Sequence, residues 1–181
     1  IKPLDVVTLQ LRRPKHELEI IPEDIPLDVV YEDEYLMVVN KPAGLVVHPG
    51  HGNYTGTLVN ALAFYLQDDP LYDPADPNVG LVHRIDKDTS GLLVIAKRPE
   101  AKAHLARQFF DKTTRRTYRA LVWGRLKEPE GTIVGNIGRD ERDRLQMAVY
   151  PEGSPKGKHA VTHYTLIEEL AYVSWIECRL E

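Results

Sequence analysis

Cysteine is nearly missing from this chain: Cys178 is the one thiol in 181 residues. A single cysteine excludes an internal disulfide framework and any zinc site built on several thiolates, and it fits a compartment where thiols stay reduced. The cytoplasm is therefore the expected location. Long apolar runs are missing too. None approaches the roughly 18 residues of a membrane helix, and the first residues lack the basic-then-apolar order of a signal peptide. No membrane partner is expected. No repeat of period 20–50 is visible either, which excludes a solenoid or propeller array.

An excess of positive charge is also lacking. Lys plus Arg number 23 against 27 Asp plus Glu, a net charge of −4, and by itself that balance argues against a polyanionic partner. The total hides an asymmetry. Residues 1–36 carry four basic and nine acidic side chains, whereas 97–119 carry eight basic and two acidic. A basic run of this kind is ordinarily a solvated helix face, unless something else in the sequence calls for an anion.

What is present suffices for a core. Hydrophobic residues make up 43% of the chain, and a domain of about 150 residues buries roughly 68–70% of the surface its unfolded chain exposes. Residues 1–27 read as a linker: a short apolar stretch, three basic residues, then the Pro-punctuated IIPEDIPLD. In DVVYEDEYLMVVNK, two runs rich in Val, Tyr and Leu flank an acidic turn at Glu32–Glu34, the pattern of a β-hairpin. LVVHPGHG suggests one more short strand before a Gly/Pro loop. In TGTLVNALAFYL, Leu58, Ala61, Leu62 and Tyr65 share one helical face, with Thr55 or Thr57 placed to cap it.

A polar, Pro-rich loop follows. GLVHRID and GLLVIAK then read as two strands around the turn-like KDTS. Pro99 suits the first turn of a helix, with Leu105, Phe109, Ala106 and Phe110 as its buried stripe and Lys102 and Arg107 outside. Five further strands are expected in RTYRALVWG, GTIVGNI, RLQMAVY, AVTHYTLIEEL and YVSWIECRLE. Many strands with two helices and no strict alternation predict an α+β fold with a mixed, largely antiparallel sheet.

The densest chemistry lies in His83-Arg84-Ile85-Asp86-Lys87-Asp88-Thr89-Ser90-Gly91, between the apolar runs LV and LLVIA. Three readings of it stay open on the residues alone. It could be a surface turn held by local side-chain to backbone bonds. It could present Asp86, Asp88 and His83 to a magnesium ion, as in a phosphohydrolase, although Arg84 beside the acids would compete with the metal. Or Asp86 could be a single nucleophilic or acid-base group kept ionised by a neighbouring cation.

The run HRIDKDTSGLLVIAK resembles the signature of the large-subunit ribosomal RNA pseudouridine synthases of the RluA/RluD type. NKPAGLVVHPG at 40–50, GTLVNAL at 56–62, TYRALVWG at 117–124 and KHAVTHY at 158–164 resemble further family segments, in the family's order. The resemblance implies the pseudouridine synthase fold with a central active-site cleft, over residues 28–181. It implies Asp86 as the catalytic aspartate and Tyr118 as the aromatic packed on the target base. Arg84 matches a position that meets the RNA, filling the space a flipped uridine leaves. Asn40, Lys41 and Pro42 match a motif that supports the cleft, and Lys41 is counted with the RNA-binding side, as are Arg115 and Arg116 from the basic run. His83 is expected to orient or pack rather than act as a base.

The implied reaction is an isomerisation: the bond from uracil N1 to ribose C1′ breaks, the base rotates, and C5 is joined to C1′. Nothing is oxidised and no group is lost, so neither cofactor nor metal is expected. The implied partner is large-subunit ribosomal RNA or the assembling ribosomal subunit, met by a monomeric enzyme. In the family, a Gly-Arg-Thr-His-Gln-Ile-Arg type motif supplies the cation that pairs with the aspartate. The sequence stops at Glu181, where that motif would begin, so the C-terminal part of the catalytic domain is expected to be missing. Residues 1–11 resemble the last strand of an upstream small RNA-binding domain. Two alternatives follow, a catalytically inactive RNA-binding fragment and a magnesium-dependent phosphohydrolase.

Overall fold

The computed structural model describes residues 20–50, 52–143 and 146–181. The expected upstream remnant at 1–11, and the linker before Ile20, lie outside the described residues. The chain divides into two compact units, 1–111 and 112–181.

In the first unit, β1 (Val29–Glu32) and β2 (Leu36–Lys41) form the expected hairpin. Asp33 fixes its turn: Oδ1 accepts the N–H groups of Tyr35 (2.8 Å) and Leu36 (2.9 Å), the local bonding that suits Asp to turns. Side chains alternate along a strand, so Met37, Val39 and Lys41 all enter the buried face of β2. β3 (Gly91–Ala96) runs antiparallel beside it, with Ile95 opposite Met37, Leu93 opposite Val39 and Gly91 opposite Lys41.

α1 (Leu58–Leu66) covers this sheet. Its cap is Thr57, in a reciprocal box with Asn60: Thr57 Oγ1 accepts the Asn60 N–H (3.4 Å) and Asn60 Oδ1 accepts the Thr57 N–H (3.0 Å). Leu58, Val59 and Leu62 meet Met37, Leu93 and Ile95 in one buried cluster. Each such full burial contributes about 1.5–3 kcal/mol, which makes this layer a rigid base for the segment between α1 and β3.

Two strands that the sequence suggests are not formed. Residues 45–47 are not a strand, because the carbonyls of Val46 and Val47 accept the N–H groups of Leu58 (2.8 Å) and Val59 (3.0 Å) at the start of α1. Those donors need partners outside the helix. Residues 80–86 make only a single bridge, Leu81 to Ile95. α2 (Pro99–Phe110) begins at Pro99 as expected, but its stripe differs. Leu105 and Phe109 are half-buried, Ala106 and Phe110 are exposed, and Lys102 is half-buried against Asp76.

The second unit is one antiparallel sheet of β4 (Thr117–Trp123), β5 (Glu130–Arg139), β6 (Met147–Tyr150), β7 (Lys158–Glu169) and β8 (Val173–Leu180), in the order β4-β8-β7-β5-β6. Every one falls where the alternation of the sequence predicts it. With two helices and antiparallel pairing throughout the described strands, the architecture is α+β, as expected. Among the described residues no helix is long and apolar enough to cross a membrane.

Candidate active site

The segment carrying His83 to Asp88 is anchored at its entrance by Gly80. Its φ is +76°, and a Cβ there would stand 2.0 Å from the Ala96 carbonyl oxygen, so only glycine fits. Three residues on, His83 substitutes for the missing strand pairing. Its Nε2 accepts the Val94 N–H at 3.0 Å, and its ring stacks on Phe109 of α2 with centroids 4.4 Å apart. An accepting Nε2 puts the proton of the neutral ring on Nδ1. His83 thus orients and packs.

Arg84 and Asp86 are exposed, while Ile85 between them packs against the core cluster. The alternation turns both charged side chains outward from a half-buried pin. A turn closes behind them, where the Asp86 carbonyl accepts the Thr89 N–H (3.2 Å). The Lys87 carbonyl accepts the Gly44 N–H (2.9 Å) and the Lys41 ammonium (2.8 Å).

Lys41 is 1% exposed, and its Nζ also donates to the carbonyls of Pro42 and Leu45, each at 2.8 Å. All three ammonium hydrogens are committed. Burial lowers the Lys41 pKa from its ordinary value, and the charges of Asp88 and Asp86 pull it back up. A buried cation therefore lies within electrostatic reach of both carboxylates. Counted on the RNA-binding side from sequence, Lys41 offers a ligand no donor. Asp86 itself makes no ion pair among the described residues.

The donor set for magnesium is not assembled. Among the described residues no group of three His, Cys, Asp or Glu side chains could hold a metal ion, and His83 has its Nε2 turned to Val94.

In the second unit, Tyr118 is half-buried on β4 opposite Cys178, which in turn lies opposite Tyr164. Directly opposed side chains share a face, so these three form one row across the sheet. Tyr164 lies over Gly131, where a Cβ would be 2.7 Å from its hydroxyl. Burial, with a smaller contribution from Glu177, raises the Cys178 thiol pKa. A protonated thiol is a poor nucleophile.

Four of the eight cations in the basic run 97–119 are ion-paired. Lys97 pairs with Glu32 (2.7 Å), Arg98 with Asp69 (3.0 Å), Lys102 with Asp76 and Arg107 with Asp111 (3.2 Å), while Arg119 sits 5.5 Å over the Trp175 ring. Lys112 and Arg115 make no ion pair among the described residues, and Arg115 is exposed beside half-buried Arg116.

Residues 35–181 match the family described as RNA pseudouridylate synthase. The chain belongs to that family. Curated relatives include the ribosomal large subunit pseudouridine synthase D of Zymomonas mobilis, 49% identical over 183 residues covering 100% of this chain and 56% of the relative. An uncharacterized RNA pseudouridine synthase of Chlorobaculum parvum is 46% identical over 99% of this chain and 55% of its own length. The chain thus spans about half the length of the curated relatives it matches. Among solved structures, human RNA pseudouridylate synthase domain containing 1 aligns with a TM-score of 0.65 at 23% identity, over 94% of this chain and 62% of that one. Human domain containing 4 aligns at 0.63 and 22%, over 84% and 58%. Both carry the same fold.

Proposed function

We propose that this chain carries the catalytic aspartate of an RNA pseudouridine synthase that isomerises uridines of large-subunit ribosomal RNA without a cofactor, with 28–181 as catalytic-domain sequence. The observation that carries the reading is the mounting of Asp86. It is an exposed carboxylate on a tight turn, flanked by half-buried Ile85, which packs on the core cluster, and by the Lys87 carbonyl that Lys41 and Gly44 hold. Such fixed placement is what a group attacking or deprotonating a sugar requires.

The target base must leave its stack, at a cost of a few kcal/mol, and stacking on the Tyr118 ring returns about 1–3 kcal/mol. Arg84 occupies the space left behind, and Arg115 and Arg116 meet phosphates. Asp86 then takes C1′ as its electrophile or removes a sugar proton. The N1–C1′ bond breaks, the base turns, and C5 joins C1′ as the aspartate leaves C1′ or the sugar regains its proton; the C5 proton is then lost as N1 gains one. Substrate and product are isomers, so no reductant or oxidant enters.

The test is tritium release from C5-labelled uridine in transcribed large-subunit rRNA, using the full-length protein with and without EDTA. Release that survives EDTA supports the isomerase. Absence of release, or phosphatase activity lost on chelation, would overturn it. Running the 181-residue chain in parallel decides whether it turns over or only binds, a question raised because Asp86 makes no ion pair among the described residues.

A further inference from the structure

We infer that Asp76 is a positioning residue for the reaction at Asp86: its carboxylate closes the strained turn from Asn78 to Gly80 and so fixes the register on which the His83–Asp86 segment lies along β3. The inference rests on the reading of Asp86 as the catalytic group and extends it to a residue that sequence reasoning did not single out.

The chain enters that segment through two consecutive left-handed residues, Val79 at φ +48° and Gly80 at φ +76°. Glycine adopts this conformation freely. A β-branched residue there is an outlier, because its Cβ crowds the following carbonyl oxygen. Val79 is also 2% exposed and belongs to the core cluster. Such strain persists only where the surroundings over-determine it, and Asp76 supplies that constraint. Its Oδ1 accepts the Asn78 N–H and its Oδ2 the Gly80 N–H, each at 3.0 Å, while its main-chain carbonyl accepts the Val79 N–H at 3.2 Å. Three successive N–H groups of the turn therefore end on one residue. The Lys102 ammonium of α2 donates to the same Oδ2.

Beyond the turn, the Gly80 carbonyl accepts the Ala96 N–H (2.9 Å), Leu81 faces Ile95 in a single bridge, and the His83 ring takes the Val94 N–H (3.0 Å). These contacts define one register, with Ile85 turned to the core cluster and Arg84 and Asp86 to solvent. A slip of one residue would exchange the two faces. The register is set where the chain enters, at Gly80, and α2 holds the entry twice. Lys102 meets Asp76 and, seven residues on, Phe109 stacks on the His83 ring. Residues at i and i+7 share a helix face, so one face of α2 clamps the turn and the segment together. Asp69, in the same loop, makes a comparable strap outside the turn, to Arg98 (3.0 Å) and to the Leu71 N–H (3.0 Å).

The experiment uses full-length protein and transcribed rRNA labelled at uridine C5, and compares wild type with Asp76→Asn, Asp76→Glu and Asp69→Asn. An amide at position 76 can accept only one of the two N–H groups, because its nitrogen is a donor. Asp76→Asn and Asp69→Asn each break one strap, and both should lower the melting temperature. Only Asp76→Asn should lower kcat for tritium release, by about 10²-fold, the scale of a 1 Å misplacement, with KM little changed, the pattern of an interaction lost in the transition state. Asp76→Glu keeps a charge for Lys102 but sets the carboxylate one methylene farther from the turn, and should not recover kcat. An unchanged kcat in Asp76→Asn, an equal fall in Asp69→Asn, or wild-type kcat in Asp76→Glu would overturn the inference. Absence of tritium release from wild type would refute the isomerase reading, and hydrogen exchange on the same proteins still decides the placement. The Val94 and Ala96 N–H groups should exchange faster in Asp76→Asn and at the wild-type rate in Asp69→Asn; equal exchange in the two variants would overturn the role of Asp76.

Discussion

The buried ammonium of Lys41 and the main-chain carbonyl of Lys87 lie 2.8 Å apart, which ties the end of β2 to the residue that follows Asp86. The same ammonium holds the carbonyls of Pro42 and Leu45. Removing it takes a donor from three part-buried carbonyls; that of Lys87 keeps the Gly44 N–H, and an acceptor left unmet costs about 1–3 kcal/mol. Lys41→Met in the full-length protein should therefore lower the melting temperature. It should also reduce kcat by about 10²-fold, the scale of a 1 Å misplacement of a reacting group, with KM little changed. Lys41→Arg restores the charge but not the three-carbonyl geometry and should not recover kcat. A Lys41→Met enzyme destabilised yet fully active would sever Lys41 from the placement of Asp86.

The loop 67–79 is strapped to α2 by Asp69–Arg98 and Asp76–Lys102. The Asp69 carboxyl lies below the usual carboxylate range, because the Leu71 N–H and Arg98 bond to it. Burial pushes the Asp76 carboxyl up, but bonds from Lys102, Gly80 and Asn78 together outweigh that, and it too lies low. Groups with depressed folded-state pKa values stabilise fully above the ordinary Asp value, near ~3.9, and lose that contribution as pH falls through the folded values. Melting curves from pH 7 to 2 should show Asp76→Asn less stable than wild type at pH 7, with the gap closing below pH 4. A gap of constant size would contradict the strap's electrostatic role.

Gly80 sets the entrance to the His83–Asp88 segment. Gly80→Ala combines a left-handed φ with a Cβ 2.0 Å from the Ala96 carbonyl oxygen. The conformational part costs roughly 1–2 kcal/mol, and relieving the clash must break the 2.9 Å bond from the Ala96 N–H to the Gly80 carbonyl. Urea unfolding of the full-length protein should show a loss of several kcal/mol, on the order of the largest point-mutant effects. A loss under 1 kcal/mol would mean that the segment enters by another route.

The elements legible in the sequence are those whose partners are other backbones. β1, β2 and all five strands of the second unit follow their alternation, and α1 and α2 their caps and Pro99. Those misread are the places where one group replaces another's expected partner. Val46 and Val47 look like strand residues, but their carbonyls go to α1. Leu81 to His83 looks like a strand, but the His83 ring takes the Val94 N–H that a ladder carbonyl would have taken. Lys41 was readable in principle: Met37, Val39 and Lys41 share one strand face, and charge alone suggested the surface. The neutralisation of Lys97, Arg98 and Lys102 was not readable, since Glu32, Asp69 and Asp76 are distant in sequence.

The central claim is that Asp86 performs the chemistry. Asp86→Asn keeps size and shape and removes the charge, at an exposed position where the fold has little to lose. Pseudouridine in rRNA treated with full-length Asp86→Asn protein, counted by mass spectrometry beside wild type, tests it most directly. The account predicts no detectable pseudouridine, with RNA binding and melting temperature retained; substantial conversion by the Asn variant would contradict it.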